Sequence, residues 1–145
     1  MEVCSIGFTQ KTAEQFFTLL RQAGIRRLLD VRLNNVSQLA GFTKRDDLRF
    51  FVKEICGADY VHEPLLAPTQ EILDEYKKSK GLWADYEKKF QALITERRIE
   101  DRIDRSLFAA PTVLLCSEPT ADQCHRRLVL EYLRDKWGDV NITHL

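Results

Sequence analysis

Short apolar runs alternate along the chain with longer stretches in which apolar residues recur every three or four positions. The first run predicts a strand at residues 3–6, and a helical period follows it. Thr12 and Gln15 have the spacing of a capping box, and Gly24 can adopt the left-handed conformation that ends a helix. The chain is therefore predicted to open with a strand and a helix that carries both of its terminal signals.

The same alternation continues through the rest of the chain. It predicts strands at residues 27–33, 59–62, 113–116 and 140–143, and helices from about Thr43 to Gly57, between Thr69 and Gly81, from residue 83 towards 98, and over 121–137. The second strand is apolar on both faces, which is typical of parallel sheets. We therefore expect one α/β domain over residues 1–145, with an open, mostly parallel sheet of about five strands and helices on both faces, in a Rossmann-like three-layer arrangement.

Composition agrees with a folded soluble domain. Of the 145 residues, 44% are hydrophobic and 30% are charged, which excludes a disordered chain. The net charge is zero, yet residues 21–53 carry eight basic against three acidic side chains, and the mixed-charge run at 96–105 is interpreted as a solvated helix face. Four cysteines without a CxxC pair, no leader-like N-terminus and no apolar stretch of about 20 residues favour a cytoplasmic protein without a membrane partner.

Polar residues are concentrated where the predicted strands end. Ligands of open parallel sheets bind beyond the carboxyl ends of the strands, where helix N-termini also point. The sequence places the following side chains there: Thr9, Asp30, Arg32, His62, Glu63, Cys116, Ser117, Glu118 and His144. This convergence predicts a ligand site at that edge of the sheet.

Asp30 and Arg32 are two positions apart on the second predicted strand, so their side chains should leave the same face. A buried charge is costly without a partner, and each of the two could satisfy the other as an ion pair. Charged pairs in clefts also recur at functional sites. A structural pair and a ligand role are therefore both open.

The segment before the last predicted helix is the densest in polar residues. A Thr-x-x-Gln capping box at 120–123 predicts that this helix starts at about Ala121. His125 and Arg126 would then lie at the edges of its inward face, near the N-terminal end and above the carboxyl edge of the sheet. Together with Glu118 they form a candidate anion site at a helix N-terminus.

Cys116 and Cys124 admit three interpretations. Cys116 could be a nucleophile at a strand–loop–helix turn, although Asp122 stands where a Cys-x5-Arg phosphate loop needs its arginine. Cys116, Cys124 and His125 could bind a metal, but the gap of seven residues between the cysteines matches no standard ligand spacing. Both thiols could also be buried packing groups, the commonest role of free cysteine, with Cys124 against Pro119 at the helix start.

The loop and helix after the second strand carry Ser37, Lys44, Arg45 and Arg49 around the aromatic Phe42. Basic residues with an aromatic neighbour could follow a nucleic-acid backbone. A solvated basic helix face is the commoner explanation of such a pattern. The segment is therefore a candidate binding surface and nothing more specific.

Five segments of the chain carry recognisable motifs: SIGFT at 5–9, GIRRLLDVRLNNVSQLAGF at 24–42, DYVHEPLLAP at 59–68, LLCSEPTADQCHRRLVLEYL at 114–133 and ITHL at 142–145. These motifs closely resemble the DUF488 family, a widespread group of small bacterial and archaeal proteins of unknown function. The resemblance covers essentially the whole chain, and the combination of DVR with C-x-E…CHR is specific.

The resemblance implies an α/β fold whose signature residues gather at one edge. Carried onto this chain, those residues are Asp30, Arg32, Ser37, His62, Cys116, Glu118, Cys124, His125 and Arg126. Many members have a proline in the loop soon after DVR, whereas this chain reads Leu33-Asn34-Asn35-Val36 there. The resemblance implies no particular reaction, and a fold alone cannot supply one.

The first functional hypothesis is an enzyme, a hydrolase or group transferase, acting on a phosphate-bearing substrate such as a nucleotide or nucleic acid at the carboxyl edge of the sheet. Arg32 and Arg126 would bind phosphate. Glu118 or Asp30 would act as general base and His125 as acid, because histidine ordinarily titrates near neutrality. Further residues assigned to substrate binding are Ser37, Lys44 and His62.

The second hypothesis is a non-catalytic module that binds a nucleotide or nucleic acid. It would use Arg32, Arg126 and the basic residues 21–53, and its affinity would fall steeply with salt. Acid–base chemistry needs a histidine and two acids focused on one edge and a binding surface does not, so the enzyme is favoured. Neither hypothesis requires a cofactor.

Overall fold

Strands and helices alternate along the chain much as the apolar pattern predicts. The computed structural model describes residues 1–36 and 40–145. The strands are β1 (Glu2–Gly7), β2 (Arg27–Asp30), β3 (Asp59–His62), β4 (Thr112–Cys116) and β5 (Asn141–His144). The helices are α1 (Ala13–Gln22), α2 (Arg45–Cys56), α3 (Gln70–Lys77), α4 (Trp83–Arg97), α5 (Ile99–Arg102) and α6 (His125–Trp137). None of these helices is both long and apolar enough to span a membrane.

The five strands form one sheet in the order β3-β2-β4-β1-β5, and every neighbouring pair is parallel. The chain moves outward from β1 to β2 and β3 through α1 and α2, and it returns to β4 and β5 through α3 to α6. Because the direction of travel reverses after β3, right-handed crossovers put the two sets of helices on opposite faces. All five carboxyl ends therefore meet at one edge.

Both faces of the sheet are covered by helices, which confirms the expected three layers. Leu28 packs in a cluster with residues of α1 and α2, whereas Leu29 packs with residues of α4, α5 and α6. Neighbouring residues of a strand point to opposite faces. Both leucines are fully buried, and burying such a side chain is worth about 1.5–3 kcal/mol. The apolar character of both faces of β2 thus follows from helices on either side.

The sequence signals at the ends of α1 and α2 are confirmed. The Thr12 hydroxyl accepts a hydrogen bond from the backbone N–H of Gln15 (3.1 Å), and the Gln15 side chain accepts one from the backbone N–H of Thr12 (2.9 Å). Gly24 and Gly57 follow the two helices with φ of 65° and 63°. This left-handed region favours glycine, so local chemistry is enough to set these boundaries.

The predicted capping box at 120–123 is wrong. Helix α6 begins at His125 rather than at Ala121, and Cys124 occupies the N-cap position without a side-chain cap. The four residues before it form turns, in which the backbone N–H of Cys124 donates to the carbonyl of Ala121 (3.2 Å). The helix therefore starts one turn later than its local sequence suggests.

Contacts with the rest of the fold explain the late start of α6. The backbone N–H of Thr9 donates to the Ser117 carbonyl (3.0 Å), and Arg126 donates through Nη1 to the Glu118 carbonyl (2.9 Å). Gly7, at the end of β1, lies so close to the Glu118 carbonyl that only a residue without Cβ fits there. These contacts hold the loop across the edge of the sheet, so helix α6 can begin only after the loop has passed β1.

Two other predictions differ from the structure. β2 stops at Asp30 rather than at residue 33, because the backbone N–H of Arg32 turns back to the Asp30 carboxylate (3.2 Å). The mixed-charge run at 96–105 is not one solvated helix: Arg98 adopts a φ of 52° and separates α4 from α5. Ile99 and Ile103 then enter the core, so burial of these two side chains overrides the helical charge pattern.

We expect Gly7→Ala to destabilise the protein, because the added Cβ would lie 1.5 Å from the carbonyl oxygen of Glu118. Either β1 or the loop must move, and overpacking of this kind costs about 1–3 kcal/mol or more. Urea unfolding measures the loss. Gly41→Ala is the matched control, since no atom of the described residues other than its chain neighbours lies within 4 Å of its added Cβ. Equal unfolding midpoints for the two variants would contradict the close contact at Gly7.

Candidate functional site

A pocket of about 280 Å³ opens at the carboxyl ends of β2 and β4. Its lining residues come from the loop after β2, from α3 and α4, and from the segment that joins β4 to α6. They are Arg32, Leu33, Asn34, Pro68, Leu73, Tyr76, Lys77, Trp83, Tyr86, Cys116, Ser117, Glu118, Gln123, Cys124 and His125. The pocket thus lies at the edge of the sheet where the polar residues of the sequence converge.

Asp30 and Arg32 form a buried, bidentate ion pair. Arg32 donates from Nε to one Asp30 oxygen and from Nη2 to the other, both at 2.8 Å, and their side chains are 4% and 0% exposed. The Tyr60 hydroxyl donates to the same carboxylate (2.5 Å), and the Thr43 carbonyl accepts from Arg32 Nη2 (2.8 Å). With its oxygens engaged in this way, Asp30 positions Arg32 and is poorly placed to act as a general base.

Arg32 has one guanidinium N–H group without a partner among the described residues. Its Nη1 is buried and has no hydrogen-bond partner within residues 1–36 and 40–145, and the residue lines the pocket. The guanidinium also lies 5.5 Å from the centre of the Phe8 ring. A buried N–H group without a partner costs about 1–3 kcal/mol, and an anionic ligand would supply the missing acceptor.

Three aromatic side chains form one wall of the pocket. Trp83 stacks on Tyr86 with ring centres 5.1 Å apart, and Tyr76 lies 4.9 Å from Tyr86 and 5.9 Å from Trp83. Phe90 continues the row inward and meets the His125 ring edge-on at 5.3 Å. Burial raises the pKa of Tyr86, and the Glu118 charge adds to this effect. This wall can therefore present neutral ring faces to a planar ligand.

His125 is buried as a neutral imidazole at the inner end of this row. Its Nε2 faces the Val31 carbonyl at 2.7 Å and must donate, because a carbonyl can only accept. Burial lowers the pKa of His125 to about 4, against the smaller opposing effect of this hydrogen bond. Near neutrality the ring carries a single N–H proton, and that proton is bound to the Val31 carbonyl. The expected role of His125 as a general acid is therefore not supported.

Arg126 lies behind Cys116 rather than in the pocket lining. It is fully buried and donates from Nε to the Ser5 hydroxyl (3.0 Å) and from Nη1 to Cys116 Sγ (3.1 Å) as well as to the Glu118 carbonyl. Burial lowers the pKa of Arg126 to about 10, so the guanidinium stays charged near neutrality. The expected phosphate contact is thus replaced by internal contacts that hold the floor of the pocket.

Cys116 and Cys124 meet at that floor. Their sulfur atoms are in direct contact as a disulfide pair, and each side chain is 2% exposed. The ligand atoms of Cys116, Cys124 and His125 all lie within 4.8 Å of one another, so this trio could hold a metal ion. Seven residues separate the two cysteines in sequence, yet the cysteines meet because the carboxyl end of β4 and the start of α6 lie close together in the fold. Cys4 and Cys56 are free thiols.

Glu118 and Lys77 form a salt bridge at the rim of the pocket. The Nζ–Oε1 distance is 2.5 Å, and the side chains are 35% and 50% exposed. Both residues line the pocket. A carboxylate and a flexible cation therefore reach the space above the cysteines, and either could turn to a bound ligand.

The remaining predicted site residues lie elsewhere. Ser37 is outside the described residues. Lys44 is exposed at the start of α2 and is not among the residues described as lining the pocket. His62 donates from Nε2 to the Arg32 carbonyl (2.8 Å), which helps to fix the loop after β2. Arg49 lies over the Tyr60 ring at 5.5 Å. A binding role for these residues stays a proposal. Among those of them that the structure describes, His62 is the one that contacts a pocket residue, through the Arg32 carbonyl.

Sequence reasoning missed the aromatic wall. The apolar pattern predicts a helix from residue 83 towards 98 and gives Tyr76, Lys77, Trp83 and Tyr86 no role at the site. Trp83 is only half-buried, as is Tyr76, although helical spacing places both among core positions. A tryptophan and a tyrosine one turn apart in the first turn of a helix were the available signal, but their neighbours across the fold could not be known from the chain alone.

The fold and this site define a class of three-layer α/β protein with a polar, aromatic-lined pocket at the carboxyl edge of a parallel sheet. The chain belongs to the DUF488 family: the family model described as "Domain of unknown function DUF488" matches residues 12–133. No curated protein and no solved structure matches the chain. The expected family is thereby confirmed, and function has to be argued from the residues of the site.

We expect Asp30→Asn to destabilise the protein by about 3–5 kcal/mol, because it leaves the Arg32 charge buried without its partner. Urea unfolding measures the change. Asp46→Asn is the matched control, since Asp46 pairs with Arg45 at side-chain exposures of 74% and 46% and exposed pairs contribute little. A loss of stability no larger for Asp30→Asn than for the control would show that the buried pair is not a structural requirement.

The neutral state of His125 should make the protein sensitive to mild acid. Its pKa falls from 6.5 in the unfolded chain to about 4 in the folded chain, so the unfolded state binds a proton that the folded state excludes. The resulting stability is complete above pH 6.5 and is lost as the pH falls towards 4, by about 3 kcal/mol in all. Urea unfolding over this range, with a chelator and a reductant, measures the slope.

His125→Gln supplies the control for this titration, because an amide can still donate to the Val31 carbonyl and does not titrate. Its unfolding free energy should depend less steeply on pH over the same range. An unchanged slope in the variant would mean that His125 is not the group that titrates.

Proposed function

We propose that the chain is an enzyme, a hydrolase or group transferase, acting on a phosphate-bearing substrate such as a nucleotide or nucleic acid in the pocket at the carboxyl edge of the sheet. The observation that carries the proposal is the joint lining of one pocket by an aromatic wall and by Arg32, whose buried Nη1 lacks an acceptor among the described residues. A planar base and a phosphate need these two features side by side.

The aromatic wall favours a substrate with a flat ring. Trp83 and Tyr76 are half-buried, so part of each ring faces the pocket while the rest packs on Tyr86. Stacking of a base on such side chains is worth about 1–3 kcal/mol per base and tolerates different bases. The wall therefore supports recognition of a nucleobase without predicting which one.

The charged residues favour a phosphate beside that ring. Arg32 is held rigidly by Asp30 and can donate through Nη1, and charge-assisted bonds of this kind are among the strongest in proteins. Lys77 is half-exposed and can exchange the Glu118 carboxylate for a phosphate oxygen. This exchange would free Glu118 at the moment when substrate arrives.

Glu118 is the best-placed general base. Its carboxylate lines the pocket, whereas Asp30 is enclosed by Arg32 and Tyr60. Glu118 would accept a proton from the attacking water or hydroxyl and return it to the leaving group, a contribution of about 10²–10⁴-fold to the rate. The burial of Arg126 counts against the alternative, a binding module that needs this arginine at the surface, and leaves that module only exposed residues such as Lys44 and Arg49.

The test uses the tryptophan of the wall as its reporter. The chain has two tryptophans, so Trp137→Phe leaves Trp83 alone, and nucleoside monophosphates should quench its fluorescence. Arg32→Lys keeps the charge beside Asp30 but removes Nη1, and should weaken nucleotide binding about 10–100-fold. Arg45→Lys, on the exposed face of α2, should change nothing. Absence of quenching, or equal affinity in the Arg32→Lys variant, would overturn the proposed site.

Catalysis is tested on the nucleotide or oligonucleotide that binds. Glu118→Gln should lower kcat by about 10²–10⁴-fold while leaving affinity nearly unchanged, and Glu71→Gln on the exposed side of α3 is the control. Full turnover in the Glu118→Gln variant would exclude this residue as the base. Loss of binding on Lys44→Ala and Arg49→Ala, with no turnover in the wild type, would support the binding module instead.

A further inference from the structure

We propose that Cys116, Cys124 and His125 bind a divalent metal ion of the thiolate-preferring class, such as zinc, at the floor of the pocket, with a fourth coordination position open to the pocket. The proposal does not rest on the proposed substrate, because it concerns three side chains whose arrangement is independent of Arg32 and the aromatic wall. It assigns a role to a cluster that the acid–base chemistry leaves unused.

The topology brings the three ligands together. Cys116 is the last residue of β4, and Cys124 and His125 are the N-cap and first residue of α6, so all three stand at one edge of the sheet. Their ligand atoms lie within 4.8 Å of one another. Two cysteines and one histidine with an open fourth position are a known ligand set of catalytic zinc.

The backbone separation of the cysteines suits ligands of a common ion. Their Cα atoms are 7.7 Å apart, beyond the range of about 4.4–6.8 Å usual for disulfides. Two equivalents of a thiol reductant break the S–S bond and are themselves oxidised to a disulfide. The two cysteine thiols then lose their protons to solvent as they bind the ion through two metal–sulfur bonds of about 2.3 Å each. The existing backbone can therefore present both sulfurs to one ion.

His125 is already set in the tautomer that a metal requires. Its Nε2–H is held by the Val31 carbonyl at 2.7 Å, which leaves the lone pair of Nδ1 for coordination. Histidines that bind metals nearly always donate their other ring N–H to a carbonyl, a carboxylate or water.

The charge of Arg126 calls for thiolate at Cys116. No carboxylate oxygen lies within ion-pair distance of this fully buried guanidinium in the part of the chain that the structure describes, whereas Cys116 Sγ accepts from its Nη1 at 3.1 Å. A buried charge without a counter-charge is costly. A disulfide sulfur carries no charge, whereas a metal-bound thiolate sulfur is anionic and is the stronger acceptor for the N–H group of Arg126 Nη1.

The fourth position would face the space in which the substrate is proposed to bind. Cys116, Cys124 and His125 all line the pocket, and Glu118 lines it two residues after Cys116. An open position of this kind holds water or a ligand atom. The inference thus adds a bound metal to the reduced form of the site, in which the two sulfurs have left their disulfide contact.

The first experiment measures metal directly, without substrate. The full chain, purified with a reductant and without added chelator, should contain about one zinc per chain by elemental analysis, as a site with three protein ligands and one open position predicts. Cys116→Ser and Cys124→Ser should each reduce the zinc content about tenfold or more. Cys4→Ser and Cys56→Ser are the matched controls, because these thiols lie outside the cluster, and should retain it.

The second experiment uses cobalt as a probe of the ligands. Its main measurement is made on the wild-type protein and therefore does not depend on the folding of any variant. Chelator-treated, reduced wild-type protein titrated with Co²⁺ should develop a thiolate-to-cobalt charge-transfer absorbance that Zn²⁺ abolishes, and His125→Gln should weaken Co²⁺ affinity about 10–100-fold. Circular dichroism checks that each variant is folded.

Three results would overturn the inference. The reduced wild-type protein could take up neither Zn²⁺ nor Co²⁺; peptide mapping could recover Cys116 and Cys124 only as a disulfide under these reducing conditions; or Cys4→Ser could lose as much zinc as Cys116→Ser. Quenching of Trp83 by nucleotides tests the proposed substrate separately, so either idea can fail while the other stands.

Discussion

The buried guanidinium of Arg126 joins three parts of the chain that the site needs in fixed positions. It binds the Ser5 hydroxyl on β1, Cys116 Sγ at the end of β4 and the Glu118 carbonyl in the loop that follows. These bonds carry the loop across the edge of the sheet and delay α6 until His125. Arg126 therefore helps to position Cys116 at the floor of the pocket, Glu118 at its rim and His125 at the start of α6.

A second buried arginine organises the opposite side of the pocket by a different principle. Arg32 is neutralised by Asp30, and Tyr60 adds a hydrogen bond that ties β3 to the pair. A charge in the interior is tolerated only with such a network, and the network restricts the guanidinium to one orientation. Arg32 thus keeps one orientation beside the pocket that it lines, without the entropy cost of ordering a free side chain.

Local chemistry made part of this structure predictable. Several features depend only on short segments of the chain: the capping box of α1, the glycines after α1 and α2, and the burial of both faces of β2. The Asp30–Arg32 pair is equally local, because its partners are two residues apart. The second capping box failed because contacts from Gly7 and Arg126 decide where α6 begins. The order of the strands and the aromatic wall were unpredictable for the same reason: Tyr76 and Trp83 belong to different helices that meet only in the fold.

The balance of charge connects the floor of the pocket to its rim. Asp30 neutralises Arg32, and Lys77 pairs with Glu118. Arg126 has no carboxylate partner among the described residues and donates to Ser5, to the Glu118 carbonyl and to Cys116 Sγ. The same guanidinium that shapes the loop therefore also contacts the sulfur at the floor of the pocket. In the proposed metal-bound state, the ion would add positive charge to the pocket that Arg32 lines, and an anionic substrate would meet that charge. The soft ligands proposed for the floor and the anion binding proposed for the rim are thus compatible demands on one pocket.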